Sequence, residues 1–188
     1  MRSPVFLDTN LEPKEIEPGL SVFECPKSKG LWIPLQAYLD WRQANPQPAA
    51  CARTVNAADP ADDSSRPALL CPESGRVLLR YRVGHGLRFH VDQSPATGGM
   101  WLDAGEWEAL KSKGLHSELN MICTESYQRQ IRNEEHRAAT EQSFRERIGT
   151  ADFQKVAEFR NWMLEHPRRR DILQYITYDE DTHEGAKP

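Results

Sequence analysis

Two stretches of the chain share one template with metal-ligating spacing. Cys25-Pro26-Lys27-Ser28-Lys29-Gly30-Leu31-Trp32-Ile33 aligns without a gap with Ser94-Pro95-Ala96-Thr97-Gly98-Gly99-Met100-Trp101-Leu102, and Cys71-Pro72-Glu73-Ser74-Gly75 repeats the first half of the pattern. Two thiolates three residues apart on a tight turn can both reach one tetrahedral ion, so a working zinc knuckle reads Cys-Pro-x-Cys-x-Gly. Here the second sulfur position holds Ser28, Ser74 or Thr97, and Ser94 replaces the first. The turn is kept while its ligands are largely replaced by hydroxyls. Hydroxyls stay protonated near neutral pH and are poor zinc ligands, but they close such turns by accepting backbone N–H groups. The expectation is a metal-free knuckle with Trp32 and Trp101 packed beneath it. The alternative is a rebuilt zinc site using Cys71 or Cys25 with His85 or His90, which has no standard spacing.

Other reactive residue types form no catalytic constellation. His90, Asp92 and Ser94 lie two apart on one strand face, in a row, where a base cannot be oriented behind a nucleophile. Cys123 has no base nearby in sequence and fits a helix core. Arg168-Arg169-Arg170 would crowd a helix N-terminus that disfavours cations by a few tenths of a kcal/mol each. A phosphate or an acidic partner could compensate there, or the run is simply solvated beside Glu165 and Asp171. No enzyme is expected.

The elements that must hold these residues follow from patterning. At 188 residues, with 38% hydrophobic content, the core is modest. The mean hydropathy is −0.71. The net charge of −4 argues against non-specific nucleic-acid binding by the whole molecule. The N-terminal segment has no run of signal-peptide length, and no stretch approaches the roughly 18 apolar residues that span a bilayer. A cytoplasmic protein with reduced thiols is expected, because the four cysteines are scattered with no Cys-x-x-Cys pair.

Val5-Phe6-Leu7 and Leu20–Phe23 suit strands, and Leu35–Trp41 suits a short helix. Val77, Leu79, Tyr81 and Val83 alternate with Leu78, Arg80 and Arg82, and Leu87, Phe89 and Val91 alternate with Arg88, His90 and Asp92, which predicts a hairpin turning at Gly84-His85-Gly86. Asp103-Ala-Gly-Glu106 reads as a capping box for a helix ending near Gly114. Helices follow over 117–148, from Thr150 to His166, and from Arg168 to about Tyr178. The Tyr127-Ile131-Ala138 stripe is expected to bury against the Phe153–Trp162 helix.

Trp101-Leu102-Asp103-Ala104-Gly105-Glu106, with Gly98-Gly99 before it, resembles the bacterial zf-TFIIB (transcription-factor zinc-finger) family. The likeness covers residues 69–115 and, more weakly, 5–42. It implies a small zinc ribbon whose four metal positions fall here on Cys71, Ser74, Ser94 and Thr97. It also implies a link to transcription.

The expected fold is α+β. It has a first degenerate zinc-ribbon-like unit (1–43), a Pro/Ala/Asp-rich linker (44–68) and a second such unit (69–115), each unit a hairpin and knuckle followed by a short helix. A helical region (116–178) and a disordered tail (179–188) complete it. The structural knuckle residues are Cys25, Ser28, Cys71, Ser74, Ser94, Thr97, Gly99, Trp32 and Trp101, and no cofactor is expected, with zinc as the alternative. The functional expectation is a non-enzymatic interaction module that docks an unidentified protein or dimerises through its C-terminal helices, without a membrane. The second reading is nucleic-acid binding through Arg168, Arg169, Arg170 and the hairpins.

Overall fold

Residues 1–46 and 67–178 are described by the computed structural model. The chain divides into two compact units, Met1–Asn133 and Glu134–Pro188. In the first, β1 (Glu12–Glu17), β2 (Leu20–Glu24), β3 (Leu31–Ile33) and α1 (Leu35–Ala44) are followed by β4 (Leu79–Gly84), β5 (Leu87–Gln93), β6 (Met100–Leu102) and α2 (Glu106–Ser112). The two series match element for element. They fuse into one antiparallel sheet of order β1-β2-β3-β6-β5-β4, with β3 and β6 at its centre. The fold is α+β.

Alternation along the strands sorts side chains onto two faces. Leu20, Val22, Phe89, Val91 and Val83 enter one core with Tyr38 and Trp41 of α1 and Trp107 and Leu110 of α2. Phe23, Trp32 and Trp101 face the other way and pack with Leu11, Leu69, Leu78, Cys25 and Cys71. The sheet thus has a helix face and a knuckle face.

On the helix face Tyr38 is fully buried. Its hydroxyl donates to the His116 carbonyl at 3.0 Å and accepts the Leu119 N–H at 3.0 Å. That pair of bonds pins the short 3₁₀ turn Leu115–Glu118 and the four-residue α3 (Leu119–Ile122) onto α1. The His116 ring stands edge-on to Trp107 at 5.8 Å between centroids. Burial holds the His116 pKa below its ordinary value, against the pull of nearby Glu17.

Several expectations are corrected. Val5-Phe6-Leu7 is no strand: the Ser3 hydroxyl accepts the N–H groups of Val5 and Phe6 at 3.3 and 3.2 Å and turns the chain. The edge strand is instead the charged segment Glu12–Glu17. The reach-back half of the capping box forms, with Glu106 Oε2 accepting the Asp103 N–H at 2.7 Å. The Asp103 carboxylate accepts the Trp101 indole N–H at 2.9 Å.

The helix expected over 117–148 is broken at Cys123-Thr124. Thr124 Oγ1 donates to the Met121 carbonyl at 2.6 Å and accepts the Tyr127 N–H at 3.3 Å, which ends α3 and starts α4 (Glu125–Ile148). Tyr127 and Ile131 then bury against the sheet rather than against the following helix. The Tyr127 hydroxyl donates to the Val83 carbonyl at 2.8 Å, and Ile131 sits on Gly84, where an added Cβ would stand 2.3 Å from Cδ1. Ala138 is exposed. Beside them the Gln128 amide donates to the Arg82 carbonyl at 2.7 Å and accepts the Arg82 N–H at 3.1 Å.

The second unit contains the remainder of α4, α5 (Thr150–Glu165) and α6 (Arg169–Ile176). Within it Met163 is buried, whereas Val156, Phe159, Trp162, Leu173 and Ile176 are exposed. Trp162, expected in a buried interface, is 53% exposed. Its ring meets Phe159 and His166, at 5.5 and 5.2 Å between centroids. Most of the 44–68 segment and the 179–188 tail lie outside the described residues.

Candidate functional site

Four turns line the knuckle face, each opening on Ser-Pro or Cys-Pro. At Cys25 the N–H donates to the Gly30 carbonyl at 2.8 Å and the carbonyl accepts the Lys29 N–H at 2.8 Å. At Ser94 the N–H donates to the Gly99 carbonyl and the carbonyl accepts the Gly98 N–H, both at 2.8 Å, and at Cys71 the same two bonds involve Arg76 and Gly75, at 2.7 and 2.9 Å. The residue closing each loop is left-handed: Lys29 at φ 61°, Gly75 at 68° and Gly98 at 72°. The sequence pattern therefore marks one repeated backbone shape.

The fourth turn, at Ser3-Pro4, escaped the sequence reading. The Ser3 N–H donates to the Thr9 carbonyl at 2.8 Å across a longer loop. Its hydroxyl takes two N–H groups, as the Ser94 hydroxyl takes those of Ala96 and Thr97 at 3.3 and 3.2 Å. The dipeptide Ser-Pro was the available signal, since Ser94-Pro95 already showed serine in this role.

Each repeat thus pairs one serine knuckle with one cysteine knuckle, in opposite order. Ser3 is the serine whose hydroxyl influences the Cys25 thiol in the first repeat, and Ser94 plays that part for Cys71 in the second. Burial alone would push both thiols up. The polar surroundings of Ser28 and Ser3 at Cys25, and of Ser74 and Ser94 at Cys71, together with backbone N–H groups, outweigh it and leave both below the ordinary thiol value. Cys123 has no such donors, and burial lifts its pKa to about 12. It is an inert core thiol.

The donor set does not fit zinc. Structural sites use thiolate and imidazole, and each knuckle pair offers one sulfur among hydroxyls that are already occupied. Ser28, Ser74 and Thr97 hydroxyls accept the N–H groups of Gly30, Arg76 and Gly99 at 3.3, 3.4 and 3.3 Å. Cys71 Sγ accepts the Ser74 N–H at 3.4 Å and lies 3.9 Å from Thr97 Oγ1. The histidines of the alternative site lie elsewhere. His85 is at the hairpin tip against Tyr127, with 6.1 Å between ring centroids, and His90 is on β5 opposite Arg82. Among the described residues no three His, Cys, Asp or Glu side chains group so as to hold a metal.

Beneath the knuckles the two tryptophans exchange places. Trp32 and Trp101 are direct partners across β3 and β6 and are fully buried. A Cβ on Gly30 would stand 2.3 Å from Trp101 Cζ2, and one on Gly99 would stand 2.3 Å from Trp32 Cζ2. Each indole therefore lies on the glycine of the other repeat. The Trp32 N–H crosses further, donating to Glu73 Oε1 at 2.9 Å in the second repeat's cysteine knuckle.

Arg168, Arg169 and Arg170 are exposed at the start of α6, with Arg168 as its N-cap. Among the described residues no helix is long and apolar enough to cross a membrane. No family model, curated protein or solved structure matches the chain.

Proposed function

We propose that the protein is a non-enzymatic interaction module, a metal-free pair of degenerate zf-TFIIB-like ribbons carrying a helical docking unit. The reading is supported on the ribbon side by thiols and hydroxyls that are committed to closing their own turns. The observation that carries it is the exposure of Val156, Phe159 and Trp162 on α5 and of Leu173 and Ile176 on α6. Large apolar side chains at helical spacing, left in water on two adjoining helices, mark a protein-contact surface. The partner offers an apolar face to α5 and α6.

Affinity capture from the native source tests this with wild type and with Phe159→Glu/Trp162→Glu. A partner retained in stoichiometric amount by wild type and lost with the variant is expected. Identical captured sets, with the variant folded by circular dichroism, would sink the reading.

A nucleic-acid role is the second reading, favoured by the exposed Arg168–Arg170 run. Retention on heparin that falls with salt, and falls again on replacing the three arginines, is what it requires.

A further inference from the structure

The two hairpins share a backbone plan but have opposite charge. Residues 12–24 contain Glu12, Glu15, Glu17 and Glu24 against Lys14, four minus one, a net −3. The β4–β5 hairpin, residues 79–93, contains Arg80, Arg82 and Arg88 against Asp92, three minus one, a net +2, together with His85 and His90, and Arg76 stands just before it in the adjoining knuckle. The reversal reaches the level of single positions. Glu15 opposes Ser21 on the first hairpin, and its counterpart Arg82 opposes His90 on the second. Both are exposed.

Part of each charge is used internally. Lys14 pairs with Glu24 at 2.8 Å, Lys111 pairs with Glu17, and Arg80 Nε lies 3.3 Å from Asp92. Glu12 and Glu15 hold no cation, and Arg76 and Arg88 hold no anion, among the described residues. The two ends cannot neutralise each other within one molecule. They are the outer hairpins of a six-stranded sheet. Five strand spacings separate the edges by roughly 24 Å, about three Debye lengths at physiological ionic strength.

From this we infer that a second copy of the chain is the occupant of each end, the acidic β1–β2 hairpin of one molecule meeting the basic β4–β5 hairpin of the next. The contact is heterologous, so it propagates head to tail rather than closing a two-fold dimer. A polyanion is the less favoured occupant of the basic hairpin, because the molecule as a whole carries −4. This contact uses none of the residues named on α5 and α6.

Sedimentation velocity of the full chain tests it over a concentration series in about 20 mM and about 500 mM salt, which shortens the Debye length from roughly 20 Å to roughly 4 Å. At low salt the sedimentation coefficient should climb with concentration past that of a dimer, and at high salt affinity should fall roughly tenfold or more. Arg76→Glu/Arg88→Glu and Glu12→Arg/Glu15→Arg should each stay monomeric at low salt. Mixing the two variants should restore association, since each then presents the complement of the other's altered end. Because Glu15 also accepts the Gly19 N–H at 2.7 Å, Glu12→Arg alone serves as a milder version, and thermal melts check that every variant is folded. A monomer at every salt and concentration overturns the inference. So does association that survives high salt, which would belong to the apolar helices, or folded variants whose mixture does not associate. Salt-dependent binding of a single-stranded oligonucleotide without self-association would overturn it in favour of a polyanion.

Discussion

Gly30 lies flat against the indole of Trp101, so close that a single added methyl group would stand 2.3 Å from the ring. Gly99 bears the same relation to Trp32. Indoles are rigid and these are fully buried, so the ring cannot swing clear. Gly30→Ala and Gly99→Ala should therefore each cost about 2–3 kcal/mol through overpacking. Urea titrations of the two variants should give similar losses. A loss below about 0.5 kcal/mol for either would show that the exchange is looser than described.

Lys29 occupies the left-handed position that Gly75 and Gly98 fill in the sister turns, with φ at 61°. A side chain there carries a steric cost that glycine avoids, of about 1 kcal/mol. Lys29→Gly should leave stability unchanged or raise it by up to about 1 kcal/mol, against the usual penalty for adding a glycine to a chain. A drop of about 1 kcal/mol in a thermal melt would contradict the geometry.

The purified protein should contain no stoichiometric zinc, and a chelator should leave its melting temperature unmoved. Elemental analysis at about one zinc per chain would overturn this. The converse substitution is informative as well. Ser74→Cys/Ser94→Cys/Thr97→Cys completes four thiols around one knuckle pair and should bind zinc, with a melting temperature that then falls on chelation.

The two kinds of tryptophan should respond oppositely to truncation. Trp101→Ala empties a fully buried site and should cost about 3–5 kcal/mol. Trp162→Ala, at 53% exposure, should cost less than about 1 kcal/mol of folding stability. Equal losses would mean that α5 is covered in solution.

Alkaline pH should unfold the protein through Cys123. Burial raises the folded pKa from 9.0 to about 12, so the folded form keeps a proton that the unfolded form gives up. The stability involved is fully present below pH 9 and is lost as pH rises toward 12, at up to about 1.4 kcal/mol per pH unit. Buried Tyr38, also raised by burial, adds to the loss in the same direction. Cys123→Ala should flatten the pH dependence of stability between 9 and 10. An unchanged slope would locate the titration elsewhere.

The knuckles, strand β5 and most of the helices were legible because each writes its geometry into local residue types: Pro after Ser or Cys, alternation along β5, and apolar spacing of three and four. At the start of the second hairpin's first strand the alternation pointed to the wrong side, since Val77 and Leu79 are exposed and Leu78 is buried. Strand β1 was not legible. Glu12-Pro13-Lys14-Glu15 lies at the sheet edge with its side chains in water, so its order comes from pairing with β2 rather than from its own composition. Val5-Phe6-Leu7 misled for the opposite reason, since three apolar residues in a row outweighed the local competition of the Ser3 hydroxyl for their N–H groups. Of the Tyr127-Ile131-Ala138 stripe, Ile131 is buried and Tyr127 half-buried, both against the sheet, and Ala138 is exposed. Sequence spacing gives the face of a helix and leaves open what covers it.

Gln128 carries a consequence for how the sheet ends. A β-strand at a border exposes unpaired amide and carbonyl groups on which a foreign strand can build. By accepting the Arg82 N–H and donating to its carbonyl, the side-chain amide reproduces one rung of a missing seventh strand. Another chain's backbone can add to β4 at this rung only after evicting α4, and the first turn of that helix is held to the same strand by Tyr127. A single glutamine thus closes this border to templated growth, a safeguard against amyloid-like stacking placed on a helix.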